Sequence, residues 1–504
     1  MTSERARPGP AAPPRPRASF LPLGGRAALA AVPLTALAAW AVWHLLRLSV
    51  WQAADGTGLT LVWLASFLLL WWLPLCWLER PFRLADAARE RDVEALRVTV
   101  QIPVYNEDPA ALRACWESVL AQSRRVQRVR VVDDGSADRD TGTPLRYPRE
   151  KRDLLRRAAA LGIEATWERT ANRGKRWAQM RVLAEDDADV FVTLDSDSVL
   201  DEDAVREGLK PFADPRVQSV GGLVVPLNTR ANHLTRMTAL LYLPFTRGLR
   251  SAQSLLGSVL INSGTLAFYR AAVVRAHAGV YERETFRGVP MQMNDDSMLT
   301  FYARMAGRTV HQPSSIVFTL VPERPRHYLH QQLRWMRGTT VRHLWWLRHL
   351  PVRSFGFWMP VVEYAHLLLA LCVPAAVVAE PALRTQWGAL LAHTLLLGCA
   401  VNYLISLRLF CVRRSDEPVR YHAALFLLAP LAGLWRLAVL RPLYLYAMAT
   451  CWRVGSWGTR STVEVRAVPR AAPRPSAAGQ SLPAPAREQR SPDGSCGLVP
   501  GQPG

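Results

Sequence analysis

The chain is predicted to fold as an α/β domain inserted between transmembrane helices, which makes it an integral membrane protein. Three observations carry that expectation. Long apolar runs flank the middle of the 504 residues. From about residue 97 to 322, short apolar strands alternate with helical stretches, the pattern of a mostly parallel sheet. Half the residues are hydrophobic, yet the formal net charge is +21, as expected when apolar spans are joined by arginine-rich cytoplasmic segments. A nucleic-acid binder would also be basic but would not carry such runs, so no nucleic-acid partner is expected. Many of the 18 Trp sit near the ends of the runs, as in an interfacial aromatic belt. Cys76, Cys115, Cys372, Cys399, Cys411, Cys451 and Cys496 form no CxxC pair, which argues against a disulfide framework and a zinc site. Nothing in the chain specifies an oligomeric state.

In chain order, residues 1–26 are rich in Pro, Ala and Arg and read as a disordered basic arm. Its arginines place it on the cytoplasmic side, and no cleavable signal peptide is evident. Two transmembrane helices are expected within 27–78: Ala27 to Val50, and the uncharged run Leu59 to Leu78. The α/β domain occupies 97–322. Val98–Pro103, Val129–Val132 and Asp189–Leu194 read as strands. Helices are expected from Pro109 to Gln122, capped by Asp108, and from Lys175 to Glu185.

Residues 323–350 are dense in Arg, Trp and Leu and read as a helix lying in the membrane interface, with Asn232 to Leu256 a second candidate. Spans follow at Phe355–Val378 and Trp387–Leu409, with Glu363 and His366 facing the protein interior or a polar path. The last apolar segment, 423–449, contains Pro430, Arg436, Arg441 and Pro442. A simple span there would place Arg453 to Arg460 outside, so a bent or re-entrant segment is expected. Together these segments make 355–449 the C-terminal membrane region. Residues 450–464 form a loop, and 465–504 read as a disordered tail.

Polar clusters stand where the strands give out. Asp195-Ser196-Asp197 follows the strand ending at Leu194, and two hard oxygen ligands there suit Mg²⁺ or Mn²⁺ shared with substrate phosphates. Alone, the pair is more often an acidic turn. Tyr105-Asn106-Glu107-Asp108 and Asp133-Asp134-Gly135-Ser136 follow the first two strands, where carboxylates can accept hydrogen bonds from a nucleoside. Each also fits an ordinary capped turn. Asn172-Arg173-Gly174-Lys175-Arg176 suits a phosphate near a helix start, or a solvated basic loop. Asn294-Asp295-Asp296 precedes a helix and fits either a general base or an N-cap.

Taken together, Tyr-Asn-Glu-Asp, Asp-Asp-Gly-Ser, Asp-Ser-Asp, Asp-Asp and Gln331-x-x-Arg334-Trp335 resemble the processive family 2 glycosyltransferases. That group includes the cellulose, chitin and hyaluronan synthases. Gly174-Lys175-Arg176, Ala252-Gln253-Ser254-Leu255, Ser263-Gly264 and Trp457-Gly458-Thr459-Arg460 are similar to bacterial hyaluronan synthases in particular. The resemblance implies a GT-A-type cytoplasmic glycosyltransferase domain, UDP-sugar donors, Mg²⁺ or Mn²⁺, and inverting transfer to a growing polysaccharide exported across the lipid bilayer. It implies that Tyr105, Glu107 and Asp134 contact uridine, and that Lys175 lies near the nucleotide end. Asp195 would position the donor with Asp295 near it, Asp197 would hold the metal, and Asp296 would be the base. Gln331, Arg334 and Trp335 would form the acceptor-end site, with Trp457 and Arg460 in a loop closing over the nucleotide.

Three departures bear on the sugar. Asn294-Asp295-Asp296-Ser297 stands where the family has Gly-Asp-Asp-Arg or Glu-Asp-Arg. Ser263-Gly264-Thr265-Leu266 replaces Ser-Gly-Pro-Leu, and Val321-Pro322-Glu323 is nearer to chitin-oligosaccharide synthases. The resemblance implies a hyaluronan-like product, from UDP-GlcNAc with UDP-GlcUA, and the departures bear against it in the choice of sugar rather than in the reaction class. The alternative is a chitin-like N-acetylglucosaminyltransferase using UDP-GlcNAc alone.

Overall fold

An eight-stranded sheet forms the centre of the computed structural model, which describes residues 15–22, 25–52, 70–138, 141–184, 186–379, 381 and 385–455. Its strands are β1 (Val98–Val104), β2 (Arg128–Asp133), β3 (Glu164–Arg169), β4 (Val190–Thr193), β5 (Ser198–Leu200), β6 (Val217–Pro226), β7 (Ala267–Arg270) and β8 (Arg308–Thr319). The spatial order is β3-β2-β1-β4-β7-β6-β8-β5. β3, β2, β1 and β4 run parallel. The sheet as a whole is mixed, because β7 is antiparallel to both of its neighbours and β5 is antiparallel to β8. β7 follows β6 after the helical excursion of residues 227–266 and pairs antiparallel with it.

Alternation along the strands divides the core into two layers. Val190 and Val192 point to the side of Ile102, Leu112, Trp116 and Val131. Phe191, between them, joins Tyr269, Tyr281, Phe301 and Trp346 on the other side. This is the period of two that a strand dictates. β1 is buried along its whole length, as expected for a central parallel strand. Registers pair Val104 with Asp133 and Gln101 with Thr193, so β1, β2 and β4 end at one edge of the sheet. Three of the polar clusters leave from that edge.

The helices used below are α1 (Gly25–Gln52), α2 (Pro109–Leu120), α3 (Lys175–Ala184), α4 (His233–Leu243), α5 (Asp295–Ala306), α6 (Pro325–His349), α7 (Phe355–Ala379) and α8 (Trp387–Ser406). α2 begins with Pro109 at its first position, but the Asp108 side chain makes no capping hydrogen bond. α4 runs through a π-turn at Pro244–Leu249 into a further helix, Arg250–Leu255. α1 packs on α8 through Ala38, Ala400 and Leu404, the two alanines being small enough to allow close approach.

Among the described residues, two helices are long and apolar enough to cross a membrane, at Leu29–Leu48 and Trp387–Cys411, with mean hydropathies of 1.7 and 1.8. The pair Val419–Leu427 and Ala429–Ala449 makes up to three if counted as one span, bent by 46°. Pro430 stands in the first turn after the break, where its missing N–H costs nothing. Most of the expected span at 59–78 falls in residues 53–69. That stretch lies outside the described residues, as do most of the basic arm, residues 457–460 and the tail.

Candidate active site

The loops at the sheet edge are tied together by the residues that leave the strands. Asn106 adopts a left-handed backbone (φ 49°), which its short side chain tolerates. Its N–H donates to Ser136 Oγ at 3.0 Å, and its Oδ1 accepts from the Ala137 N–H at 2.9 Å. The β1 and β2 loops are thereby joined. Ser196, the middle residue of Asp195-Ser196-Asp197, donates to Glu107 Oε2 at 2.7 Å, which joins the β1 and β4 loops.

Asp134 accepts from the backbone N–H groups of Arg173 and Gly174 at 2.9 and 2.8 Å. It therefore shapes the turn that precedes α3. Gly174 requires its positive φ of 93°. At Gly135 a Cβ would stand 2.7 Å from Asn172 N, so only glycine lets these two turns meet. Burial raises the Asp134 carboxyl above its usual range, against the pull of the two N–H donors.

The turn delivers Lys175 between two carboxylates. Its Nζ lies 2.8 Å from Asp195 Oδ1 and 2.9 Å from Asp295 Oδ2. Burial works against the ammonium, but the two carboxylates prevail and hold it protonated above the usual lysine range. Asp295 and Asp296 are not the N-cap of α5. That position is Asn294, in a left-handed conformation (φ 53°) without a side-chain capping bond, and the carboxylates occupy the first turn. Asp296 accepts from Ser297 N at 2.7 Å and Gly264 N at 3.2 Å. Burial, then the adjacent Asp295 charge, raises the Asp296 carboxyl to about 6. Burial also acts on Asp295, but Lys175 holds that carboxyl below its usual range. Two neighbouring acids are thus driven apart, one fixed as an anion and one able to exchange a proton near neutral pH.

α6 brings the third component. Trp335 stands with its ring 6.0 Å from that of Tyr242 on α4, tilted by 48°. Gly338, one turn further on, is where Asn294 seats: a Cβ there would fall 2.2 Å from Asn294 Cγ. Gly338→Ala must push Asn294 and the carboxylates after it. We expect transfer to fall at least about tenfold, which corresponds to about 1.4 kcal/mol, with thermal stability much less affected; normal turnover in G338A would remove this contact from the account.

Glu107, Lys175, Asp195, Asp197, Asp295, Asp296, Gln331, Arg334 and Trp335 all line one cavity of about 730 Å³. Tyr105 and Asp134 do not reach its wall, and Trp457 and Arg460 lie outside the described residues. The cavity continues past α6 to Glu363 and His366 of α7 and to Arg436, Arg441 and Tyr444.

Sequence reading missed the support beneath the site. Glu284, buried, binds both Arg176 and Arg342, whose side chain is fully buried. Arg342 Nη2 donates to Glu284 Oε2 at 2.9 Å, and its Nε donates to Ser297 Oγ at 3.2 Å. Arg176 Nη2 donates to Met293 O at 2.9 Å. One buried ion cluster thus holds α3, the Asp295–Asp296 turn and α6. At position 297 the small serine leaves room for a guanidinium that arrives from α6.

The family model for glycosyl transferase family 2 matches residues 99–277, and that for glycosyl transferase family group 2 matches 190–452. Hyaluronan synthase of Streptococcus pyogenes serotype M1 is 32% identical over 376 residues, 73% of this chain and 84% of that protein. The chain belongs to glycosyltransferase family 2. An N-acetylglucosaminyltransferase of Rhizobium sp. (strain N33) is 35% identical over 289 residues, covering 56% of this chain and 61% of that one. Among solved structures, the mannosyltransferase PcManGT from Pyrobaculum calidifontis in complex with GDP-Man and Mn²⁺ aligns with a TM-score of 0.48 and 21% identity, over 81% of this chain and 98% of that one. The resemblance read from the motifs is borne out. The chain is an inverting family 2 glycosyltransferase with a GT-A-like fold built on a mixed sheet.

Proposed function

We propose that this glycosyltransferase polymerises UDP-GlcNAc and UDP-GlcUA into a hyaluronan-like polysaccharide and passes the product through its own membrane helices. The observation that carries the reading is the single cavity. It joins the sheet-edge carboxylates to Asp296, to Gln331, Arg334 and Trp335, and onward to α7 and the bent C-terminal segment. Gln331, Arg334 and Trp335 on its wall are the motif that accompanies chain-holding synthases, which favours processive transfer over transfer to a single lipid acceptor. The enzyme would be a multi-pass protein of the cell membrane with its catalytic domain on the cytoplasmic side, and α6 would lie in the interface.

In this reading Tyr105, Glu107 and Asp134 surround the uridine, and Lys175 and Asp195 position the donor. Asp296 takes the proton from the acceptor hydroxyl as its oxygen attacks the anomeric carbon. The bond to the diphosphate breaks on the opposite face, UDP departs, and the configuration inverts. Arg334 offsets diphosphate charge, Gln331 and Trp335 hold the acceptor end, and Trp457 and Arg460 close over the nucleotide.

The residues present fit a divalent cation. Asp195 Oδ1 is engaged by Lys175, Asp197 Oδ1 accepts from Ser198 Oγ at 3.3 Å, and both carboxylates line the cavity. Among the described residues no group of three or more His, Cys, Asp or Glu could hold a metal ion, so the other ligands of an ion at Asp197 would have to come from substrate phosphates and water. Mg²⁺ or Mn²⁺ at Asp197 would neutralise the departing diphosphate.

The N-acetylglucosaminyltransferase relative supports a second reading, a GlcNAc-only product. Membranes containing the enzyme and either metal, supplied with each donor alone and with both, separate the two. Polymer is expected only when both donors are present. Polymer from UDP-GlcNAc alone sinks the hyaluronan reading.

A further inference from the structure

A buried cation with no partner lines the transfer chamber. Arg250 opens the helix Arg250–Leu255, is only 7% exposed, and contributes to the cavity wall. Its Nη1 is buried without a hydrogen-bond partner, and among the described residues Arg250 makes no ion pair. Burial lowers the guanidinium to about 10, so it remains charged at neutral pH. A buried charge is costly unless something pairs with it.

Two carboxylates have charges that bear on it, Asp296 and Glu79. Glu79 is already held by His311 at 2.8 Å and Arg408 at 2.5 Å. Asp296 is engaged by two backbone N–H groups. Of the two carboxylates, Asp296 bears on Arg250 more strongly. The vacant donor therefore lies on the side of the chamber that carries the proposed base. The same cavity wall carries apolar side chains, among them Leu249, Leu260, Trp346 and Met359. A neutral sugar gives a guanidinium there no counter-charge. A carboxylate on the sugar ring does, and in a planar two-bond geometry that the guanidinium matches.

We propose that Arg250 is the carboxylate-recognising residue of the chamber, binding the C6 carboxylate of a hexuronosyl unit. The assignment rests on the two-sugar reading above and deepens it. The unit is either the incoming uronosyl donor or the uronosyl end of the chain.

The test uses the full-length enzyme in membranes and three transfer assays. These are GlcUA from UDP-GlcUA to a GlcNAc-ended primer, GlcNAc to a GlcUA-ended primer, and GlcNAc to a GlcNAc-ended primer. Arg250→Leu is expected to lower one of the first two at least about 30-fold relative to the other, while the third, which the two-sugar reading does not allow, tests that reading in the wild type. The first identifies the donor carboxylate and the second the acceptor carboxylate. Arg250→Lys, which keeps the charge but not the fork, should restore part of that ratio. Equal losses in the first two assays, without rescue by lysine, overturn the assignment in favour of a diphosphate contact or a structural role. Unchanged ratios overturn it too. A wild-type enzyme that performs only the third reaction refutes the two-sugar reading itself, and Arg250 recognition with it, before any variant is compared.

Discussion

Asp296→Asn lowers glycosyl transfer by roughly 10²–10⁴-fold, the contribution of a positioned general base, while UDP binding stays close to wild type. The amide keeps the shape of the carboxyl, can accept from only one of the Gly264 and Ser297 N–H groups, and cannot take the acceptor proton. In the wild type, activity should fall as pH drops through about 6, because the carboxyl is pushed up to that value by burial and by Asp295. Stability moves in the opposite direction. A carboxyl raised in the folded state favours folding most when protonated, and that contribution is lost as pH rises through about 6. The asparagine imitates the protonated form at every pH. D296N should therefore gain stability above pH 6, on the order of 1–3 kcal/mol, and gain little at pH 4. A pH–rate profile and thermal unfolding of the detergent-solubilised enzyme at pH 5 and 8 check both signs. An active D296N enzyme, or one destabilised at pH 8, refutes the assignment.

Glu284→Gln should cost about 3–5 kcal/mol of folding stability, the usual penalty for removing one partner of a buried ion cluster. Arg176 and Arg342 would then face an amide in a site with almost no water. Burial opposes the Glu284 charge, but Arg342 and Arg176 together hold the carboxyl below its usual range. The stabilisation is present above the unfolded carboxylate value and is lost as pH falls through the folded one. Denaturant unfolding of wild type and E284Q at pH 7.5 measures it. A difference below about 1 kcal/mol would mean that the cluster carries no net stability. The same substitution should impair transfer, because the Asp295–Asp296 turn loses its fastening.

What could be read from the sequence follows the range of the interactions. The β1, β2 and β4 strands are short runs of Val and Ile closed by polar clusters, and local pattern alone marks them. Lys175, Asp195, Asp296, Arg334 and Trp335 belong to compact motifs, and they do meet on one cavity. The mixed sheet was not legible, since β7 pairs with β4 and β6 across long intervening segments. Nor were Glu284 and Arg342, which are 58 positions apart and sit in stretches without a motif. Arg250 was passed over because its meaning depends on an absence of partners, which only the packed molecule reveals. The N-cap read at Asp295 or Asp296 falls instead on Asn294, whose side chain packs on Gly338, and no local pattern links those two positions.

That contact has a mechanical consequence. With no side chain at position 338, the turn bearing the two acids rests directly on the backbone of α6, a single helical turn beyond Trp335. Arg342 pins the same turn from the same helix one turn later. Two attachments on one rigid rod remove the turn's freedom to translate or rotate independently. Any slide of α6 along its axis is therefore transmitted to Asp296 undamped, and gripping a chain and readying the proton acceptor become one displacement.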